Sequence, residues 1–324
     1  MKKELSQFAI GLAIFGIAAA FLSIQFGVLD LWATSGPANV VANVVVGNVV
    51  YISISPNTLN FGNLNPNSIN YFPNNNIIST NIIDRDNGGN LAANIFLSGG
   101  NWNYGANSFG VSNTFWSANS PGTANTPLTN TLTPTNILIP QPNIINPNTQ
   151  NTVYFVEVNI PAGTPPGNYL QSVTFENENQ AASVSSVPIN AILSANVQGV
   201  CYISLSTNTI NFGTVVASAN VPTQFGVTDY DNGGNVAANM LVYGGNWVGP
   251  TTTFGVGNTQ WNPTSSNSYT GTPLTLNAVD TGIVIPAPTQ SSPSENSIIY
   301  FGLGVPGGAP SGTYTQNIII ENSC

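Results

Sequence analysis

Apolar side chains fall at every second position through Ile189, Ala191, Leu193, Ala195 and Val197, while Asn190, Ser194, Asn196 and Gln198 fill most of the other side. A period of two is the mark of a strand with one buried face. The same alternation runs through Ala38, Val40, Ala42, Val44 and Val46, with Pro37 matching Pro188, Asn39 matching Asn190 and Asn43 matching Ser194. Residues 51–55 and 202–206 also alternate apolar and small polar residues. Residues 91–97, 153–160 and 318–320 are β-branched or aromatic runs bounded by Gly, Pro and Asn, which is strand patterning with turn punctuation. After residue 34 no stretch keeps a helical apolar period. The pattern predicts an all-β chain.

The strands recur as a set. Tyr51-Ile-Ser-Ile-Ser returns as Tyr202-Ile-Ser-Leu-Ser, Asn60-Phe-Gly as Asn211-Phe-Gly, and Asp86-Asn-Gly-Gly-Asn as Asp231-Asn-Gly-Gly-Asn. Gly99-Gly-Asn-Trp, Phe109-Gly-Val, Ile139-Pro and Tyr154-Phe have counterparts at Gly244, Phe254, Ile285 and Tyr300. A period this long is a domain duplication rather than a solenoid. About seven short strands in each unit, separated by turn signals, predict an immunoglobulin-like sandwich. Trp102, Trp116, Trp247 and Trp261 sit at matched places and read as core aromatics. The expected organisation is a hydrophobic segment over 1–33, an N-terminal strand over 34–49, one sandwich over 50–198 with its closing strand at 183–198, and a second over 199–324.

Phe-Gly after the first strand and Asn-Gly-Gly-Asn before a later apolar strand resemble the immunoglobulin-like modules of microbial surface proteins. They are also similar to the sandwich subunits of archaeal surface filaments and to camelysin/TasA-type biofilm fibres. The resemblance spans about residues 50–322 and implies a non-enzymatic structural protein of the cell surface, in filaments built by donor-strand exchange.

The two units are flanked unequally. Each is preceded by a copy of the alternating strand, and the first is also followed by one. Residues 186–197 can turn back after 176–180 and close the first sandwich, whereas the second has no such copy behind it. A sheet missing a strand recruits another chain. Ala38, Val40, Ala42, Val44 and Val46 of one molecule are the expected filler for the second sandwich of the next, giving a head-to-tail homopolymer. The alternatives are that this segment pairs within its own chain, or is a stalk between a membrane anchor and the first sandwich of a monomeric adhesin.

The N-terminal segment sets the compartment. Lys2 and Lys3 precede an uncharged stretch from Leu5 to Leu29, long enough either to be a secretory signal or to stay in the bilayer as a signal-anchor helix. Either reading puts the rest of the chain outside the membrane, extracellular or on the cell surface. The two cysteines, Cys201 and Cys324, suit one disulfide in an oxidising compartment, and their counterparts in the first unit, Val50 and about Asn179, cannot cross-link. Only 5% of residues are charged, the net charge is −9, and Arg85 is the sole cation beyond Lys3. That composition excludes nucleic acid as a partner, because no basic footprint exists to neutralise phosphates.

Candidate chemistry is sparse. With no histidine, Ser-His and Cys-His nucleophile systems are impossible, and no catalytic residues are assigned. The exception worth weighing is the repeated acidic turn. Asp84, Asp86 and Asn90, and again Asp229, Asp231 and Asn235, place carboxylate and amide oxygens around glycines, a donor set that suits Ca²⁺. The same residues are also the ordinary composition of a tight turn. No other cofactor is expected.

Overall fold

The computed structural model describes residues 41–71, 81–118 and 126–324. The hydrophobic segment, together with Ala38 and Val40, lies outside the described residues, among which no helix is long and apolar enough to cross a membrane. Residues Asn48–Cys324 form one compact unit holding two immunoglobulin-like β-sandwiches.

In the first sandwich, one sheet runs in the order Ser53–Ser55, Asn81–Asn87, Asn148–Ile160, Thr114–Ser117, Thr126–Pro127, with Ser68–Tyr71 also paired to Asn148–Ile160. The facing sheet runs Thr133–Ile139, Ala93–Gly99, Gly167–Asn179, Ile189–Val197, Thr58–Leu64. The alternation seen in the sequence divides each strand between core and solvent. In Gly167–Asn179, Tyr169, Gln171, Val173, Phe175 and Asn177 are buried, while Asn168, Leu170 and Ser172 are exposed. Trp102 lies at the centre, fully buried, stacked on Phe109 at 5.6 Å and edge-on to Phe61 at 6.1 Å.

A polar relay is buried beside that tryptophan. Trp102 Nε1 donates to Thr114 Oγ1 at 2.7 Å, Thr114 donates to Gln171 Oε1 at 2.8 Å, and Gln171 Nε2 donates to the Gly100 carbonyl at 2.9 Å. Each buried polar atom thereby finds a partner, as burial requires. The second sandwich repeats the relay through Trp247, Thr259, Gln316 and Gly245 at 3.0, 2.6 and 2.7 Å.

The second sandwich keeps one sheet whole, in the order Ser204–Leu205, Asn220–Asn232, Ser294–Gly304, Thr259–Asn262, Thr272–Pro273. Its facing sheet has three strands, Val279–Ile285, Ala238–Gly244 and Ile318–Ser323. These correspond to Thr133–Ile139, Ala93–Gly99 and the second half of Gly167–Asn179. Among the described residues, the counterparts of the last two strands of the first sandwich's sheet are absent from it. All four tryptophans expected in the cores are buried there.

The strands expected over 51–55 and 202–206 shorten to Ser53–Ser55 and Ser204–Leu205. Side chains hold the preceding residues instead of a ladder. Asn177 Nδ2 donates to the Tyr51 carbonyl at 3.0 Å, and Asn322 Nδ2 to that of Tyr202 at 2.9 Å.

Candidate functional site

The completed sheet of the first sandwich shows what the second lacks. Ile189–Val197 runs antiparallel to Gly167–Asn179, from Gly167 opposite Val197 to Phe175 opposite Ile189. On its other edge it runs parallel to Thr58–Leu64, with Leu193 in register with Leu59 and Val197 with Leu64. Ala191, Leu193, Ala195 and Val197 all point into the core and are buried. The strand therefore fills a slot between two others and caps the apolar interior.

At the same place in the second sandwich there is a groove. Ile318–Ser323 pairs with Ala238–Gly244 along one edge, and among the described residues no strand pairs with the other edge. Residues 209–215, the counterpart of Thr58–Leu64, have no regular structure. A parallel neighbour gave Thr58–Leu64 its hydrogen-bond partners, and without one residues 209–215 have no ladder to join. The groove between them has a volume of about 290 Å³ and is lined by Ile210, Phe212, Val227, Trp247, Phe301, Ile318 and Ile320. Leu59, Phe61, Val173 and Phe175 are buried, but their counterparts Ile210, Phe212, Ile318 and Ile320 are half-buried. Burying such a side chain from full exposure is worth about 1.5–3 kcal/mol, and each of these half-buried residues gains part of that when the groove is covered.

The alternating segment before the first sandwich is described from residue 41 onward. Residues 41–49 have no regular structure and are exposed. Val44 is 86% and Val46 73% accessible, and Ala42 is exposed as well.

The cysteines lie next to the groove. Cys201 and Cys324 are joined, with Cα atoms 6.2 Å apart. The bond ties the start of the second sandwich to the end of Ile318–Ser323, the strand whose outer edge borders the groove. In the first sandwich the matching strand has a neighbour on both edges, and its counterpart positions are Val50 and Asn179. The staple sits where strand pairing is one-sided.

The acidic turns resolve into two separate roles. Asn90 and Asn235 clasp the chain as it arrives: Val49 N–H donates to Asn90 Oδ1 at 2.8 Å and Asn90 N–H to the Val49 carbonyl at 3.0 Å. Val200 and Asn235 repeat this at 2.8 and 2.9 Å. Asp86 and Asp231 accept from the N–H of Gly89 and Gly234 at 2.8 and 2.9 Å, closing the turns. A side chain at Gly89 or Gly234 would run into these carboxylates.

Asp84 and Asp229, one strand repeat earlier, are buried and face inward. Asn177 Nδ2 donates to Asp84 Oδ1 at 3.0 Å, while Asp84 Oδ2 and Asp86 Oδ2 have no partner. Neither oxygen of Asp229 has a partner at full hydrogen-bond geometry, but the Ser204 backbone and the Asn322 amide face it and favour its charged form. Burial, reinforced by the neighbouring Asp86 charge against the opposing Asn177 bond, pushes Asp84 up to about 7. Burial likewise raises Asp229 to about 6 and lifts Asp86 and Asp231 above the usual carboxylate range. The amides meeting the inner carboxylates are those of Asn177 and Asn322, a pair that matches in the repeat but carries no motif of its own. Among the described residues no three carboxylate, cysteine or histidine side chains gather into a metal-binding cluster.

No family model matches the sequence, and no curated protein matches it either. Solved structures to which the chain is similar include the CsuC–CsuE chaperone–tip adhesion subunit complex of archaic chaperone–usher Csu pili from Acinetobacter baumannii. It has 10% identity and a TM-score of 0.39, covering 84% of this chain and 100% of that one. A chaperone–tip adhesin complex of CFA/I fimbriae biogenesis has 9% identity and a TM-score of 0.30, covering 83% and 96%. At this distance the fold assignment rests on the sheets described above.

Proposed function

We propose that the protein is the structural subunit of an extracellular filament, in which residues 38–46 of one copy fill the groove of the second sandwich of another. One observation carries this reading. The groove lies where Ile189–Val197 closes the first sandwich, and 38–46 is the repeat copy of that strand. By the repeat, Val40, Ala42, Val44 and Val46 take the places of Ala191, Leu193, Ala195 and Val197. The incoming strand runs antiparallel to Ile318–Ser323 and parallel to 209–215, giving both their missing ladder partners.

Reach favours a second copy over the same chain. Residues 47–49 span only about 10 Å when extended, so a docked 38–46 stays beside Val50. The Val49–Asn90 clasp lies at the Asn179 end of Gly167–Asn179, where Asn179 Nδ2 bonds the Ala92 carbonyl at 2.6 Å. The second sandwich attaches at the opposite end, through residues 163 and 164. Thirteen strand residues separate those ends by about 40 Å. A chain's own groove is out of reach, and a head-to-tail contact that does not close on itself propagates. Export of the subunit by its hydrophobic segment and a surface location belong to the same proposal.

Deleting residues 36–48 tests it. The variant is expected to stay folded and monomeric, to form no filaments by electron microscopy, and to bind a synthetic peptide of residues 36–48 with a rise in melting temperature. A folded deletion variant that still polymerises, or that ignores the peptide, overturns the proposal. A wild-type chain that stays monomeric points instead to a tethered adhesin.

A further inference from the structure

The two sandwiches within one chain meet through a defined joint. Asn235, held by the Val200 clasp, donates through Nδ2 to the carbonyls of Gln198 and Thr164 at 2.7 and 2.8 Å. Gly163 N–H donates to the Gly234 carbonyl at 3.1 Å. Gln290 Nε2 reaches the Ser108 carbonyl at 3.1 Å and Thr164 Oγ1 at 3.2 Å. The fit leaves no slack, since a Cβ on Gly163 would lie 2.1 Å from the backbone of Thr289. One face, the Asn-Gly-Gly-Asn turn plus loop 289–292 of the second sandwich, is seated on loop 161–166 of the first, with Asn67 and Ser108 beside it.

Each half of that joint exists a second time. The first sandwich carries the same turn at 86–90, with the clasp repeated by Val49 and Asn90. It also carries the same loop at 143–146, where Asn143 N–H donates to the Asn146 carbonyl at 3.0 Å as Thr289 N–H does to Ser292 at 2.9 Å. The second sandwich carries the receiving loop at 306–311. Gly308 has φ of 79° where Gly163 has 69°, and Ala309 N–H donates to the Pro306 carbonyl as Thr164 N–H does to Pro161. Where Gly163 is pressed against Thr289, nothing among the described residues lies within 4 Å of a Cβ on Gly308.

These spare faces are marked by apolar residues that the covered joint lacks. Ile144 and Ile145, the counterparts of Gln290 and Ser291, are 102% and 96% accessible. Beside the spare loop, Val216 stands 71% accessible where the first sandwich has Asn65. Exposed aliphatic residues scattered singly are ordinary, but Ile144 and Ile145 are adjacent and stand at the tip of the loop whose counterpart makes the joint.

We infer that the face formed by residues 86–90 and 143–146 of one copy seats on loop 306–311 of the second sandwich of another copy, rebuilding between molecules the joint found within each one. Ile144 takes the place of Gln290 against Ala309, and Ile145 and Val216 are covered. The inference rests on the proposed strand exchange, because residues 47–49 would tether the two faces as residues 198–200 do within the chain. Successive sandwiches along the filament would then share one repeating geometry, with a polar seam inside each subunit and an apolar seam between subunits.

The test places cysteines at Ile144→Cys and Ala309→Cys in the full chain, with Thr164→Cys and Gln290→Cys as the intrachain control. Oxidised filaments are expected to run as a denaturant-resistant ladder that reduction collapses to monomer, with peptides holding residues 144 and 309 linked. Filaments visible by electron microscopy without that link overturn the joint and leave strand exchange standing. A wild-type chain without filaments overturns both. Should the cysteines themselves impair assembly, Ile144→Asp with Ile145→Asp decides the matter. It is expected to raise the critical concentration for assembly at least tenfold, and an unchanged value overturns the inference.

Discussion

Leu193 stands in register with Leu59 across a parallel strand pair, both of them buried, whereas Ile210, the counterpart of Leu59, lies half-buried at the mouth of a groove. The same hydrophobic position is thus part of a finished core in one sandwich and of an unfinished one in the other. Leu193→Ala is expected to destabilise the first sandwich by about 2–5 kcal/mol through lost burial and the cavity left behind. Ile210→Ala, at a half-buried site, should cost distinctly less in the monomer. Denaturant unfolding of the monomeric deletion variant checks both, and equal costs would contradict the open groove.

Reduction of the Cys201–Cys324 bond should fall on the second sandwich alone. A cross-link closing a sequence separation of 123 residues contributes about 4–5 kcal/mol in the chain-entropy model. The strand it ties down has one neighbour among the described residues. Cys201→Ser with Cys324→Ser is expected to give an early transition for the second sandwich while the first unfolds as before, as hydrogen exchange can show for each half separately.

The inward carboxyls make the fold more stable in acid. Asp84 is raised to about 7 and Asp229 to about 6, so the folded state favours their neutral forms. Below the unfolded value near 4 both states are protonated, and the fold is under no penalty. As pH rises past it the unfolded chain ionises first, and stability falls by at most about 1.4 kcal/mol per pH unit for each group, less for Asp229 where solvent screens the charge. The fall ends as pH passes the folded values near 6 and 7. Melting temperature should therefore be higher at pH 4 than at pH 8. Asp84→Asn should flatten that slope for the first sandwich, and a slope left intact would show that Asp84 does not carry it.

Gln171 and Gln316 hold matching places in the tryptophan relays, yet Gln171 is buried and Gln316 half-buried. Gln171→Leu leaves the buried Thr114 hydroxyl without its acceptor, at a cost of about 1–3 kcal/mol. Water can replace the lost bonds around residue 316, so Gln316→Leu should cost less in the monomer. Thermal melts of the two variants make the comparison. Strand capture in the groove should bring the second cost up to the first.

Much of this was legible in the pattern of the chain. Alternation divides Ile189–Val197 into a buried and an open face, the repeated Trp and Gly signals mark two copies of one unit, and the two cysteines pair. What escaped the sequence reading involves neighbours rather than faces. Nothing in residues 58–64 tells that they lie parallel to Ile189–Val197, since backbone ladders form without regard to side-chain identity. Asn90 and Asn235 carry oxygens that suit a cation as well as a turn, and only their bonds to Val49 and Val200 reveal a clasp. Asn177 and Asn322 were visible as a matched pair, but their service to buried carboxyls depends on strands more than ninety residues away.

By itself, the sequence determined which side of each strand is apolar, that the sandwich occurs twice, and that the copies have unequal flanks, because side-chain period and repetition are local properties. The tertiary structure decided which strands are neighbours, that 209–215 lacks a ladder, and that the turn of one sandwich seats on the loop of the other. Those outcomes depend on backbone hydrogen bonds and shape matching between distant segments, and a groove exists only where two surfaces have been brought side by side with a space between them.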